Sequence, residues 1–496
     1  MPRSKRRGVG SRGVHRSVAF NSIHFLIFFP VVLTVYWSLR RNATLRIGFL
    51  LVSSYYFYMS WNVAYAALIF GSTVLDFFAA QAMASTGSAR ARRAWLIVSL
   101  TGNLGVLFVF KYYNFFIESV GATLAALGLS ATLDLSSTLP NHSLLLPVGI
   151  SFYTFQTLSY TIDVYRGAIQ PSRSFVRFAL FVSFFPQLVA GPIVRASMFL
   201  PQLEADPKFD DRRAQSGLGL MLVGLFKKVC IADVIGTTLV DPAFADPALR
   251  NSWVLWMAMY GYAFQIYYDF CGYSDMAIGA ARMLGFDLPI NFRRPYSATS
   301  VRDFWQRWHI SLSTWLRDYL YVPLGGSRGS SLKVARNLAI VMILGGLWHG
   351  AAWGFLLWGA LHGLLLIAGR IFYRLTGINA DRSDQPTVAR IARVIMTFHL
   401  VAFCLVLFRA PDFDTLSECL RGLVSVQRFE GSVPAAAYLA LAIAAAIEWM
   451  PRAPLASVAS VFVRLPSPMQ ACVVTASLLA VTAIAPANAP FIYFQF

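Results

Sequence analysis

Residues 337 to 369 make 33 consecutive positions without a charged side chain, bracketed by Arg336 and Arg370. A helix needs about 20 apolar residues to cross a bilayer, and runs of this kind recur along the chain. They predict spans at Phe20 to Leu39, Ile47 to Trp61, Val63 to Ala84, Ala94 to Ile117, Leu144 to Tyr165, Phe175 to Val194, Gly217 to Val240 and Trp253 to Leu284. Five more follow at Leu338 to Gly350, Trp353 to Phe372, Ala392 to Phe408, Ala435 to Trp449 and Ala471 to Ala485. Some of these fit re-entrant or half-length segments. Only helices and closed barrels satisfy their backbone polar groups inside lipid. The expected fold class is therefore an all-α polytopic membrane protein of roughly 11–13 transmembrane helices with re-entrant and amphipathic helices. The charged fraction of 13% agrees, since soluble domains carry about 25%.

Lys and Arg resist translocation and collect on the cytoplasmic side. Arg40, Arg41 and Arg46 follow the first span, Arg90, Arg92 and Arg93 the third, and Arg166, Arg173 and Arg177 the fifth. The loops between carry none, so loops one, three and five are expected inside and the N-terminus outside. The first 17 residues hold six basic side chains and no acid, which opposes that orientation; translation is expected to start near Val18, with the basic tail disordered or not made. The net charge of +19 follows from basic loops facing anionic lipid, not from a nucleic-acid-binding face. Cys230, Cys271, Cys404, Cys419 and Cys472 show neither disulfide nor metal spacing. Trp37-Ser38-Leu39-Arg40 lacks the small residues of a cleaved signal peptide. Residues 18–410 are read as one membrane domain and residues 411–496 as C-terminal membrane helices.

Two stretches depart from plain spans. Residues 118 to 142 are expected to form a short interfacial helix outside. From Val301 to Leu320, apolar residues at Val301, Phe304, Trp305, Trp308, Leu312, Trp315, Leu316 and Tyr319 fall on one helical stripe. Arg302, Asp303, Gln306, Arg307, Ser311, Arg317 and Asp318 take the other face, so an amphipathic helix is predicted with His309 at the stripe edge. Pro323, Gly325 and Gly326 then turn the chain.

Ionisable groups at membrane depth carry the functional argument, because an unsatisfied polar group in hydrocarbon costs free energy. His349, in Gly345-Gly346-Leu347-Trp348-His349-Gly350, reads either as a general base or proton relay, kept neutral by burial, or as a hydrogen-bonded packing residue between helices. The glycines leave room for a substrate or for a close helix. His309 reads as a cavity-facing group or as a solvated residue at the headgroups. His362 fits packing, while His142 and His399 carry no signal. Lys227 and Lys228 either snorkel at a helix end or line a cavity for an anionic donor. Asp269 and Asp275 share no helical face well, and each is expected to pair with an Arg or a helix end. No phosphate-cradling loop or zinc-binding helix motif is present, and Gly149-Ile150-Ser151-Phe152 lacks the second glycine of a nucleophile elbow.

Four blocks together carry a resemblance. They are Leu146 to Gln156 continuing to Asp163-Val164-Tyr165-Arg166; Phe184 to Ile193; Asp269 to Gly279; and Asn291 through Trp305-Gln306-Arg307-Trp308-His309 to Gly326, followed by Gly345 to Gly350. The chain resembles the membrane-bound O-acyltransferase family, in particular its bacterial alginate O-acetyltransferase-like subgroup. Cys271 stands where Ser is expected, and the likeness fades after about residue 410.

The resemblance implies that His349 is the essential intramembrane histidine and His309 the second signature position. It also implies a central funnel or tunnel, with a thioester donor (acetyl-CoA) on the cytoplasmic side and a hydroxyl acceptor outside. Arg307, Lys227, Lys228, Asp269 and Trp305 are the candidates for contacting substrate, the cations through donor phosphates. No metal and no tightly bound cofactor is expected. The expected partners are a periplasmic or membrane-anchored acetyltransferase, an exported polysaccharide and membrane lipids, in a bacterial inner membrane. D-alanyl transfer to teichoic acid, or acylation of peptidoglycan or lipid, is the alternative within the enzyme class. A proton-coupled transporter would show inverted repeats, and none is legible.

Overall fold

The computed structural model describes residues 20, 22–128, 147–188, 191–377, 386–425, 431–450, 454–484 and 491–492. The basic N-terminal tail, His142 and the Val189-Ala190 pair of the second block lie outside the described residues. Within them every regular element is helical. The main helices are α1 (Ile23–Ser38), α2 (Ala43–Met59), α3 (Val63–Ser85), α4 (Ala89–Ala126), α5 (Ile150–Tyr165), α6 (Phe175–Ser183), α7 (Ala196–Glu204), α8 (Asp211–Phe226) and α9 (Ser252–Met283). They continue as α10 (Val301–Arg307), α11 (Ile310–Leu316), α12 (Ser331–His349), α13 (Trp353–Thr376), α14 (Thr387–Arg409), α15 (Phe413–Val424), α16 (Ala435–Trp449), α17 (Pro454–Arg464) and α18 (Ser467–Ile484). Many begin on a side chain that accepts a hydrogen bond from a first-turn N–H: Ser22, Asn42, Asn62, Ser88, Ser174, Asp210, Asn251, Ser300, Ser330 and Asp412. Such caps satisfy donors that the helix itself leaves open.

Among the described residues, six helices are long and apolar enough to cross a membrane: α3, α4, α12, α13, α14 and α18, with α1 and α16 as shorter apolar helices. This is fewer than the apolar runs suggested. Two of the expected spans, Leu144 to Tyr165 and Trp253 to Leu284, hold α5 and α9, which are buried inside the protein along most of their length. A helix enclosed by protein can afford Gln156, Gln265 and Asp269 on the inside. The run Phe175 to Val194 is interrupted, since α6 stops at Ser183 and a short helix, Phe185–Leu188, follows it. Glu118 to Ala126 continue the 38-residue α4 instead of forming a separate interfacial helix; residues 129–142 lie outside the described residues.

Backbone packs against backbone at two seams. Gly217 and Gly224 of α8 meet Gly279 and Gly272 of α9, where a Cβ would strike the opposite carbonyl oxygen. Gly346 of α12 and Gly359 of α13 do the same against the Phe355 and Met342 carbonyls. Small residues allow this approach, which drives helix association where lipid is as apolar as the side chains. Between α3 and α4, Asp76 is satisfied by Ser99 Oγ at 2.5 Å and Asn103 Nδ2 at 3.0 Å.

The loops expected on one side are linked to one another. Arg92 donates to the Tyr165 carbonyl, Gln81 to that of Ser172, and Arg166 to that of Asp318. Replacing Gly359 by Leu is expected to lower stability by about 1–3 kcal/mol through overpacking, whereas Gly369→Leu, with nothing within 4 Å of its Cβ position, leaves the thermal unfolding temperature in detergent unchanged.

Candidate active site

The region around His309 departs from the amphipathic helix its pattern predicts. That helix is broken: α10 ends at Arg307, Trp308 is extended, and His309 takes φ 42, the left-handed region, before α11 begins. Non-glycine residues hold that conformation only when their surroundings over-determine it. Asn291 supplies the determination. Its carbonyl accepts from the Ile310 N–H at 2.8 Å, and its Oδ1 accepts from the Ser311 N–H at 3.3 Å and the Ser311 hydroxyl at 2.9 Å. Its Nδ2 donates to Ser274 Oγ at 3.2 Å. The segment from Phe286 to Tyr321 therefore enters the helix bundle, turns at His309, and returns.

The same bonds define the tautomer of His309. A backbone N–H can only donate, so the Asn291 atom facing Ser311 is oxygen. The His309 Nδ1, 3.2 Å from that oxygen, must then carry the proton, and Nε2 presents a lone pair. The ring is fully buried against Phe152, Phe270 and Trp348.

His349 is the last residue of α12 and is 4% exposed. Its ring packs edge-on to Trp348, Trp358 and Phe408 at 5.0, 5.2 and 5.3 Å. Trp348 lies between the two imidazoles, 5.8 Å from His309. His349 lines a cavity of about 10 Å³, room for one water-sized group, with Ile266, Phe304, Trp308, Trp358, His362, Val401, Leu405 and Phe408. The glycines beside it serve the close helix: Gly346 admits α13, and a Cβ on Gly350 would collide with the Phe355 ring.

Lys111, which the sequence reading passed over, holds this helix end. Five residues of α4, Phe108–Tyr112, widen into a π-helical turn, a distortion often found at functional positions. From it the Lys111 ammonium donates to the Trp348 carbonyl at 2.6 Å and the His349 carbonyl at 3.0 Å, and the Tyr112 hydroxyl donates to the Leu347 carbonyl at 3.0 Å. The last carbonyls of a helix are open acceptors and favour a positive charge. A lone cation inside the predicted span Ala94 to Ile117 was the available signal.

The other candidates fall into two groups. Lys227 and Lys228 sit on a second wide turn, Lys227–Asp233, and both are committed to acids inside the bundle. Lys228 Nζ is 2.6 Å from Asp233 and 2.6 Å from Asp269, and Lys227 Nζ is 2.5 Å from Asp275. Asp269 also accepts from the Ile492 N–H at 2.7 Å. The partners of Asp269 and Asp275 are thus lysines, not the arginines expected, because the wide turn of α8 faces α9 at the level of those carboxylates.

Arg307 and Trp305 stay with the histidines on α10. Trp305 packs on Trp358 and His362. Arg307 pairs with Asp303 at 2.7 Å and lines a cavity of about 710 Å³ with Arg294 and Arg390. A neighbouring cavity of about 940 Å³ is lined by Arg302, Arg317, Arg370, Arg374 and Arg393. It reaches the same three helices, α10, α13 and α14, that line the His349 cavity from the other side. Those helices stand between the arginine-lined cavity and the small cavity that His349 lines.

This geometry meets a matching set of relatives. The membrane-bound O-acyltransferase family model matches residues 167–408. A probable alginate O-acetylase of Pseudomonas aeruginosa is 41% identical over 80% of this chain and 73% of its own length. A peptidoglycan O-acetyltransferase of Helicobacter pylori is 37% identical over 82% of this chain and 80% of its own, and a teichoic acid D-alanyltransferase of Bacillus subtilis is 27% identical over 55% and 71%. The chain belongs to the membrane-bound O-acyltransferase family. It is a multi-pass membrane enzyme that transfers acyl groups.

Two outcomes test the supporting architecture. Lys228→Met, which strands two buried carboxylates, is expected to cost about 3–5 kcal/mol of stability, read as a lowered unfolding temperature in detergent. Lys111→Met removes charge-assisted bonds of about 1.5–3 kcal/mol each and is expected to lower turnover along with stability, while Lys111→Arg restores part of both.

Proposed function

We propose that this enzyme moves an acetyl group from acetyl-CoA on the cytoplasmic side of a bacterial inner membrane toward hydroxyls of an exported polysaccharide, working with a periplasmic or membrane-anchored acetyltransferase. The observation that carries the reading is the position of His349, a buried imidazole at a braced helix end, on a cavity walled off from an arginine-lined vestibule. The relatives named for alginate and peptidoglycan acetylation support the acetyl group and a polysaccharide acceptor. The lower identity of the D-alanyltransferases supports alanyl transfer less.

The chemistry follows from the residues. An alcohol attacking a thioester must lose a proton, and a neutral imidazole out of water accepts it. The C–O bond forms as the C–S bond breaks, and His349 returns the proton to the leaving thiolate. His309, locked with Nε2 bare, offers a second acceptor across Trp348. Arg302, Arg317, Arg370, Arg374 and Arg393, together with Arg307, Arg294 and Arg390 beside them, suit the phosphates of the donor, since guanidinium pairs bidentately with phosphate. The sequence reading placed Lys227, Lys228 and Asp269 in contact with substrate; their internal ion pairs support a role in holding α8 to α9 instead.

Replacing His349 by Ala is expected to reduce polymer acetylation by at least about 100-fold, the low end of what a general base contributes, with membrane insertion unchanged. Wild-type acetyl content on the polymer in cells carrying only the His349→Ala protein would contradict the assignment.

A further inference from the structure

His362 is fully buried, and neither of its ring nitrogens has a hydrogen-bond partner among the described residues. Four residues earlier on α13, the buried Trp358 indole N–H is also without an acceptor. Residues four apart share one face of a helix, and both side chains line the cavity that His349 lines. Buried polar groups in native proteins are almost always partnered, so two unpartnered groups converging on one cavity call for a ligand. An indole can only donate. The missing partner must therefore present an acceptor atom.

The place of the pair narrows the acceptor further. His362 stacks on Phe304 and meets the edges of Trp305 and Trp358, at the wall that α10 and α13 raise against the arginine-lined vestibule. One turn further along α13, Leu365 and Leu366 already face that vestibule. A group entering through the wall passes His362 and Trp358 before it reaches His349.

We propose that Trp358 and His362 bind the carbonyl oxygen of the acyl group in transfer, as the donors that stabilise its negative charge. The inference rests on the acyl-transfer reading of His349. As the alcohol oxygen bonds to the carbonyl carbon, the C=O electron pair moves onto oxygen, and the indole N–H and one imidazole N–H donate to it. Collapse restores C=O and expels the thiolate, while the alcohol's proton goes to His349. Neither donor changes its protonation state. Donors aimed at developing charge in a dry site lower the barrier more than they strengthen ground-state binding.

The test compares Trp358→Phe, His362→Phe and His362→Gln in the full-length protein in membranes with its partner proteins, using acetyl-CoA as the donor, with kcat, donor KM and unfolding temperature measured for each. His362→Phe keeps an aromatic ring and removes both ring nitrogens, whereas Trp358→Phe removes the indole N–H together with part of a buried ring. Each is expected to lower kcat roughly 100-fold, with donor KM within about threefold; the unfolding temperature is expected unchanged or raised for His362→Phe and lowered for Trp358→Phe, and His362→Gln, which keeps an N–H, is expected to recover about tenfold of the loss. Wild-type kcat in both Phe variants overturns the proposal, as does a His362→Gln protein that regains stability without regaining turnover. Full activity in the Phe variants beside an inactive His349→Ala removes this inference alone; an active His349→Ala removes the acyl-transfer reading beneath it as well.

Discussion

The side chain of Asn291 carries the constraint on which the rest of the site depends. A chain that dips into a helix bundle and turns back leaves backbone groups that water cannot reach. Asn291 answers for several of them at once: its backbone carbonyl receives the Ile310 N–H and its amide oxygen the Ser311 N–H, its amide nitrogen anchors to Ser274, and the same amide oxygen lies 3.2 Å from His309 Nδ1. The left-handed turn at His309 is the geometric consequence, and the defined tautomer is the chemical one. Ser311 extends the hub, since its hydroxyl accepts from the Ile193 N–H. The second sequence block is thereby tied to the turn.

Charge is distributed to suit such a site. The cations on the wide turn after α8, Lys227 and Lys228, are cancelled by Asp233, Asp269 and Asp275, and the Asp76 carboxylate is enclosed by hydroxyl and amide donors. Lys111 differs, because its ammonium is spent on helix carbonyls and fixes where α12 ends. Arginines gather instead around the vestibule. A phosphate-bearing molecule would meet positive charge outside the wall and neutral, aromatic surroundings inside it, the order that an acyl donor requires.

Much of this was legible in the residues, and what was not has physical causes. Long apolar runs marked α3, α12, α13 and α14 because lipid exposure demands continuous apolar sequence, and His349 stood out within one of them. The burial of α5 and α9 inside the protein was not legible, because a run apolar enough for lipid also suits a protein core. The break at Trp308-His309 was hidden: no glycine or proline marks it, the apolar stripe continues through it, and the force that bends the chain comes from Asn291, eighteen positions away. Lys111 was hidden for a similar reason, since its partners are carbonyls on a helix distant in sequence. The lysine–aspartate pairs depended on a wide turn that no periodicity announces.

The central claim is that uncharged imidazoles wait at the meeting point of α10, α12 and α13, with a nitrogen lone pair ready to accept a proton. Solid-state nitrogen NMR on histidine-labelled protein in lipid bilayers at neutral pH, assigned by single replacement of His309 and of His349, observes this directly. The account predicts one protonated and one bare nitrogen on each ring, with the proton on Nδ1 of His309. A doubly protonated ring at either position, or a proton on Nε2 of His309, would contradict it.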